Sequence, residues 1–342
     1  MSFKYVQKLP EPTDIKEDIP VSKDFKKIKE QRDKEIKSIL TGKLNKFLLI
    51  IGPCSADNED AVCEYITKLS SVQEKVKDNI LLIPRIYTNK PRTTGEGYKG
   101  MVHQPNPNEK SNMVEGIKAI RSMHIKASMT SDLTCADEML YPENYEYLDD
   151  ILSYVAVGAR SVENQQHRLT ISGLDIPAGM KNPTSGDINV MLNSIKAAQI
   201  EHTFIYRGSE VETTGNPLTH SIMRGAVDHY GRNIPNYHYE DIMYLIELYE
   251  QKDLANPTII IDTNHANSKK LYREQPRIAM EIIRNRNYDS TFKKMVKGLM
   301  IESYLVGGRQ GIDEGVYGKS ITDPCLSWDD TERMIYDIAE KV

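Results

Sequence analysis

Cysteine is scarce in this chain, and the four present, Cys54, Cys63, Cys135 and Cys325, form neither a CxxC pair nor a dense framework. That spacing argues against a disulfide scaffold and fits reduced thiols in a reducing compartment. An excess of positive charge is also missing: 44 Lys plus Arg stand against 49 Asp plus Glu, a net charge of −5 over 342 residues. A basic nucleic-acid binder or a protein held on anionic membranes is therefore excluded as the default reading. No apolar run approaches the roughly 18 residues of a membrane helix, and the opening MSFKYVQKLPEPTDIKED has no apolar signal-peptide core. These absences point to the cytoplasm. There is no repeat, low-complexity tract or Pro/Gly linker to split the chain.

What is present is an ordinary globular composition with a regular alternation. Residues 1–45 are polar, carry Pro10, Pro12 and Pro20, and read as an N-terminal extension with a helix over 22–40. From residue 46 onward, eight apolar, β-branched runs read as strands: 47–55, 80–87, 134–140, 154–161, 176–182, 202–206, 258–265 and 298–305. Amphipathic segments at 61–76, 112–124, 142–153, 188–199, 239–251 and 275–286 read as the helices between them. Near-continuous apolar strands alternating with helices predict an α/β fold with a covered parallel sheet, and eight units predict a (β/α)8 barrel over 46–342. The long connection from 207 to 239, after the sixth strand, is expected to hold an inserted hairpin built from EVETTG and SIMRGAV.

The polar residues that interrupt the strands fall at their C-terminal ends, where such barrels build active sites: Cys54, Arg85, Glu138, Arg160, Lys181, His265 and Glu302. Arg85, Arg160 and Lys181, with Lys90 and Arg92 of KPRTT and Arg224 of MRGA, make a set of cations aimed at one mouth. In an acidic protein they imply anionic substrate groups, for which guanidinium forks suit phosphate and carboxylate oxygens. Each alone would read as a solvated surface charge. Cys54, His265, Glu302 and Asp323 offer one thiolate, one imidazole and two carboxylates, a set suited to Mn²⁺, Fe²⁺, Co²⁺ or Zn²⁺ and less to Mg²⁺ or Ca²⁺. A small buried Cys, a capping His and two solvated acids are the bland alternative. A third reading makes Cys54 a nucleophile with His265 as its base; adjacent Glu302 and Asp323 would oppose it. His167, His202 and His220 read as structural.

GPCS at 52–55, PRIY at 84–87, KPRTT at 90–94, GAR at 158–160, MKN at 180–182, MRG at 223–225, HANS at 265–268, IES at 301–303 and GKSITDPCLSW at 318–328 together resemble the type I 3-deoxy-D-arabino-heptulosonate 7-phosphate (DAHP) synthases. The resemblance runs in order from about residue 46 to the C-terminus. It implies condensation of phosphoenolpyruvate with erythrose 4-phosphate and water, with release of phosphate, at the entry to the shikimate pathway. It implies a (β/α)8 barrel with an N-terminal extension and an inserted hairpin. By the same resemblance Cys54, His265, Glu302 and Asp323 hold one divalent metal ion, and Asp262 orients His265. Arg85, Arg160, Lys181 and Arg224 contact phosphoenolpyruvate; Lys90, Arg92 and Thr93 serve erythrose 4-phosphate, with Lys90 reaching both. Glu138 and Lys181 handle the water. Homodimers or homotetramers are implied, with residues 1–45 as an interface arm. After HTFIY the chain is shorter than in feedback-regulated members, so control by Phe or Tyr does not carry over. The alternatives are 3-deoxy-D-manno-octulosonate 8-phosphate synthase, whose sugar-phosphate loop resembles ANRT more than KPRTT, a non-catalytic phosphate-binding regulatory barrel, and a metal-dependent aldolase.

Overall fold

Eight short strands, buried along nearly their whole length, set the architecture in the computed structural model, which describes residues 2–342. They are β1 (Phe47–Gly52), β2 (Ile80–Pro84), β3 (Ala136–Glu138), β4 (Tyr154–Val157), β5 (Ala178–Lys181), β6 (Thr219–Met223), β7 (Ile259–Asp262) and β8 (Val296–Glu302). All pair in parallel in the order β2-β1-β8-β7-β6-β5-β4-β3. A parallel bridge between Arg85 and Ala136, with Ile86 N donating to Ala136 O at 2.8 Å, closes β2 onto β3. The result is a (β/α)8 barrel. Its period-2 alternation sends Phe47, Leu49 and Ile51 outward to the helices, and Leu48 and Ile50 inward to meet Ile83, Ala156, Ile222, Ile260 and Met300.

The extension contains α1 (Pro12–Asp18) and α2 (Lys23–Leu40). The Ser22 hydroxyl caps α2 by accepting from Phe25 N at 3.0 Å. Ile36, Ile39 and Leu40 of α2 are buried among the inward-facing strand residues, and the Arg32 guanidinium donates to the Leu82 carbonyl. Helix α2 is thus the floor of the barrel within its own chain. Each of those aliphatic side chains contributes about 1.5–3 kcal/mol by leaving water.

Two expectations are corrected. HTFIY is not the sixth barrel strand: residues His202–Tyr206 pair antiparallel with Ser209–Thr213 in a separate hairpin, turned by Arg207 and Gly208 at φ 50° and 77°. The sixth barrel strand is Thr219–Met223, so the insert lies before it, in the connection after β5. HTFIY has the β-branched look of a core strand yet is half exposed, whereas THSIM buries polar residues, of which His220 Nε2 lies 2.7 Å from Tyr154 Oη and Ser221 Oγ donates to the Thr258 carbonyl at 3.1 Å. A second, two-residue hairpin, Ala226–Val227 with Asn233–Ile234, follows β6. The helix expected over 142–153 is only a 3₁₀ turn, Pro142–Tyr147. Helices at Gln165–Ser172 and Trp328–Ala339 complete the barrel layer without having been expected. No helix among the described residues is long and apolar enough to cross a membrane.

Candidate active site

The pairing of first and last strands builds the centre of the mouth. Gly52 lies beside Glu302 in the β1–β8 register, so Cys54, two residues past β1, sits next to the last residue of β8. The segment after β8 folds back: Tyr304 N donates to Leu326 O and Leu326 N to Glu302 O, both at 2.9 Å. Ser55 and Thr322 hydroxyls meet at 2.8 Å, and Asp323 N donates to Cys54 Sγ at 3.4 Å. One donor atom each from Cys54, Glu302 and Asp323 therefore lies within 4.8 Å of the other two. His265, the fourth expected ligand, is outside that group, but its Nε2 is 3.9 Å from Glu302 Oε1. Its backbone is left-handed, φ 45°, a strained conformation for a non-glycine residue. His265 Nδ1 is 2.8 Å from Asp262 Oδ2, close enough for charge attraction though out of line for a hydrogen bond.

Buried anions this close repel unless a cation lies among them. Lys90 Nζ, 2.9 Å from Cys54 Sγ, is one such cation. Burial works against its charge, but Cys54 and Glu302 hold the ammonium above its ordinary range. Burial also pushes the Cys54 thiol up to about 11, with Glu302 adding to the effect and Lys90 opposing it. A thiol so raised is a poor nucleophile, and among the described residues it has no contact with His265 that would make it one. Burial would raise Glu302 too, yet His265 and Arg85 outweigh it and keep the carboxylate below its usual range. A soft sulfur, two carboxylates and a neighbouring imidazole fit a divalent transition metal by the chemistry of the donors.

Around this cluster the cations converge. Arg85, Lys90, Arg92, Glu138, Arg160, Lys181, Arg224, His265 and Asp323 line one cavity of about 210 Å³, with Cys54 and Glu302 buried outside that lining. Arg85 is almost wholly buried, its Nη2 3.1 Å from Glu302 Oε1 and its guanidinium 3.9 Å over the Tyr87 ring. Its Nε and Nη1, and Nη1 of Arg224, are buried without a protein partner. Donors left this way cost about 1–3 kcal/mol each, so their presence here marks a place for an anionic ligand. Lys181 Nζ is 3.4 Å from Asp262 Oδ2. Arg160 Nε donates to Thr93 Oγ1 at 2.9 Å, and Arg92 Nε to the Tyr98 carbonyl at 2.8 Å. The sequence motifs at 85, 90–93, 160, 181 and 224 are thus one surface.

Several supporting residues escaped the sequence reading. Asp137 accepts from Thr88 N at 2.9 Å, from the Thr88 hydroxyl, and from Glu138 N at 2.7 Å, tying the root of the KPRTT loop to β3. Asn264 Nδ2 donates to Glu302 Oε2 at 2.5 Å, and Gln275 brackets the Glu302 backbone, donating to its O at 2.8 Å and accepting from its N at 2.9 Å. Lys270 lies 3.3 Å from Asp323. Only Asn264 and Lys270, which flank HANS, could be suspected from the sequence; Gln275 and the Asp137 contacts are brought in by the fold.

Fold and site together define a (β/α)8-barrel protein with an anion-gathering mouth set against a metal-donor cluster. The DAHP synthetase I family model matches residues 19–335, and the chain belongs to that family. It is 36% identical to a phospho-2-dehydro-3-deoxyheptonate aldolase of Haemophilus influenzae, over 99% of this chain and 92% of that protein. It is 33% identical to the Phe-sensitive phospho-2-dehydro-3-deoxyheptonate aldolase of Escherichia coli K12, over 100% of this chain and 97% of the relative. The solved phospho-2-dehydro-3-deoxyheptonate aldolase of Francisella tularensis SCHU S4 superposes with a TM-score of 0.92 at 31% identity, covering 100% of this chain and 98% of that one.

Proposed function

We propose that the chain is a 3-deoxy-7-phosphoheptulonate synthase, joining phosphoenolpyruvate to erythrose 4-phosphate with water to give DAHP and inorganic phosphate at the head of the shikimate pathway. The observation that carries this reading is the set of unpartnered buried donors on Arg85 and Arg224 facing the same cavity as Lys90, His265 and Asp323. Arg85, Arg160, Lys181 and Arg224 bind the phosphate and carboxylate of phosphoenolpyruvate. Lys90, Arg92 and Thr93 receive the sugar phosphate, and Lys90 reaches both substrates. Cys54, His265, Glu302 and Asp323 would hold one Mn²⁺, Fe²⁺, Co²⁺ or Zn²⁺, with Asp262 steadying His265. When bound, that ion supplies Lewis-acid polarisation of the aldehyde oxygen.

The fixed cations offset repulsion between two phosphorylated substrates and hold the reacting carbons together. Carbon 3 of the enol forms the new bond to the aldehyde carbon as the aldehyde carbon–oxygen π bond opens, and the alkoxide so formed is neutralised by the proton that the added water gives up. Water adds to carbon 2, where positive character develops, giving up its proton to Glu138 with Lys181 positioning it. The hydroxyl now on carbon 2 passes its proton to the phosphate and becomes the ketone oxygen as the carbon 2–oxygen bond to phosphate breaks, and Arg85 and Arg224 stabilise the departing phosphate. The protein works in the cytoplasm as a homodimer or homotetramer, with the 1–45 extension as the interface arm.

The test is phosphate release from phosphoenolpyruvate with erythrose 4-phosphate or arabinose 5-phosphate, each with EDTA and again with Mn²⁺ restored. Release with the four-carbon sugar, lost to EDTA and recovered with metal, is expected. Release only with arabinose 5-phosphate would transfer the assignment to the octulosonate synthase, and none with either sugar would leave a regulatory barrel.

A further inference from the structure

A second cavity lies at the other end of the barrel. It measures about 750 Å³ and is lined by the last residues of α2 and the turn after it, 39–42 and 44–46, by Tyr249, Glu250, Asp253 and Leu254, by Asn256 and Pro257 ahead of β7, and by Arg286, Ser290, Lys293, Lys294, Met295 and Lys297. Lys297 and Glu302 belong to the same strand, five residues apart, which places the cavity about 16 Å from the metal-donor cluster.

Its charges do not balance. Among the described residues, Arg286, Lys293, Lys294 and Lys297 have no carboxylate within 4.0 Å, while Lys46 is already paired with Glu35 at 2.6 Å. The acids in the lining, Glu250 and Asp253, are exposed and form no ion pair with these cations. Arg286 is buried, with its guanidinium 4.4 Å over the Phe47 ring and Nη1 donating to the Lys293 and Val296 carbonyls. Lys297 Nζ donates to the Leu40 carbonyl at 2.6 Å, which accounts for one of its three protons and caps α2. Burial pushes the Lys297 ammonium down to about 8, with Lys294 adding to the effect, and burial brings Arg286 down to about 10. Positive charge gathered in a cavity without counter-charge is destabilising unless an anion joins it. The space is of the size that takes a small metabolite, and Leu44, Leu254 and Met295 give it an apolar side.

We propose that this floor cavity is a second ligand site, distinct from the catalytic mouth, that binds a small dianion carrying phosphate or carboxylate groups on Lys293, Lys294, Lys297 and Arg286. The anion neutralises the cations against the end of α2, the helix that seals the barrel. The inference stands independently of the reaction assigned to the mouth.

The test is the rate at which Lys297 in the full-length protein is acetylated at pH 8, followed by mass spectrometry of its peptide, with inorganic phosphate or malonate added. A bound dianion restores the proton to the amine: at pH 8 a rise of one pKa unit from about 8 cuts the free-base fraction from about one half to about one eleventh, so saturating probe should slow labelling about fivefold. Protection by phosphate alone assigns a phosphoryl ligand, by malonate alone a dicarboxylate, and by both a dianion site without preference. Protection should persist in Arg85→Gln, whose mouth is impaired, and should need more probe in Lys294→Gln, an exposed change that leaves the fold intact. Equal labelling with and without either probe would overturn the proposal. So would protection that vanishes in Arg85→Gln, because the anion would then be acting from the mouth.

Discussion

Replacing Gly158 by alanine should impair turnover while sparing the fold. Gly158 follows β4, and a Cβ built there would stand 2.2 Å from Glu138 Oε1 and 3.3 Å from its Cδ. An ordinary carbon–oxygen approach is about 3.3 Å, so the carboxylate must move by about 1 Å. The obstacle is the far end of a side chain, not backbone, and Gly158 is outside the left-handed region, so alanine fits the main chain. Stability should change by less than about 1 kcal/mol, with a small gain from the stiffer unfolded chain offsetting the crowding. If Glu138 handles the water, a displacement of about 1 Å costs on the order of 10²-fold in rate, or about 2.7 kcal/mol of barrier. Steady-state phosphate release should show the loss in kcat, with KM for phosphoenolpyruvate little changed and thermal unfolding near that of the wild type. A variant retaining kcat within about twofold would show that Glu138 takes no part in the chemistry.

Cys54→Ala should lose bound metal, measured by atomic emission on purified protein, and metal-dependent turnover, while circular dichroism stays unchanged; retained metal and activity would remove Cys54 from the ligand set. Asp137→Asn keeps the shape but weakens the anchor on Thr88, so it should raise KM for the sugar phosphate and cost about 1–3 kcal/mol of stability; unchanged KM and melting temperature would deny it a positioning role. Burial raises Asp57 from 3.8 to about 7, so its contribution to stability is full below pH 3.8 and lost as pH rises through 7. Asp57→Asn should therefore gain in melting temperature relative to wild type between pH 5 and pH 8; a difference flat across that range would mean the carboxyl ionises freely.

The sequence disclosed the mouth more fully than the path of the chain. Cys54, Arg85, Lys181 and Glu302 could be recognised because a polar residue ending an apolar strand has few reasons to be there, and the barrel supplies one. Thr219–Met223 was overlooked because THSIM carries three polar residues, two of which have their burial supported from elsewhere, His220 by Tyr154 and Ser221 by Tyr249 and Thr258. HTFIY took its place because β propensity cannot tell a hairpin on the surface from a strand in the core. The role of Asp137 was hidden for another reason: its partner Thr88 is 49 residues away and His124 lies on the preceding helix, and only the folded barrel brings them together. The burial of α2 under the barrel was equally out of reach, since its apolar stripe names no partner.

The joining of β1 to β8 has a consequence for how the protein comes into being. A chain emerging from the ribosome makes Cys54 early and Glu302 and Asp323 late, so the edge of β1 waits through most of synthesis for its neighbour. Open strand edges invite pairing with other chains, and this one is a period of exposure to aggregation that chaperones would have to cover. The delay also acts as a safeguard: an interrupted copy lacking the last strand has neither a sealed barrel nor a complete donor cluster. A copy that stops before β8 lacks Glu302 and Asp323, the two donors gathered beside Cys54.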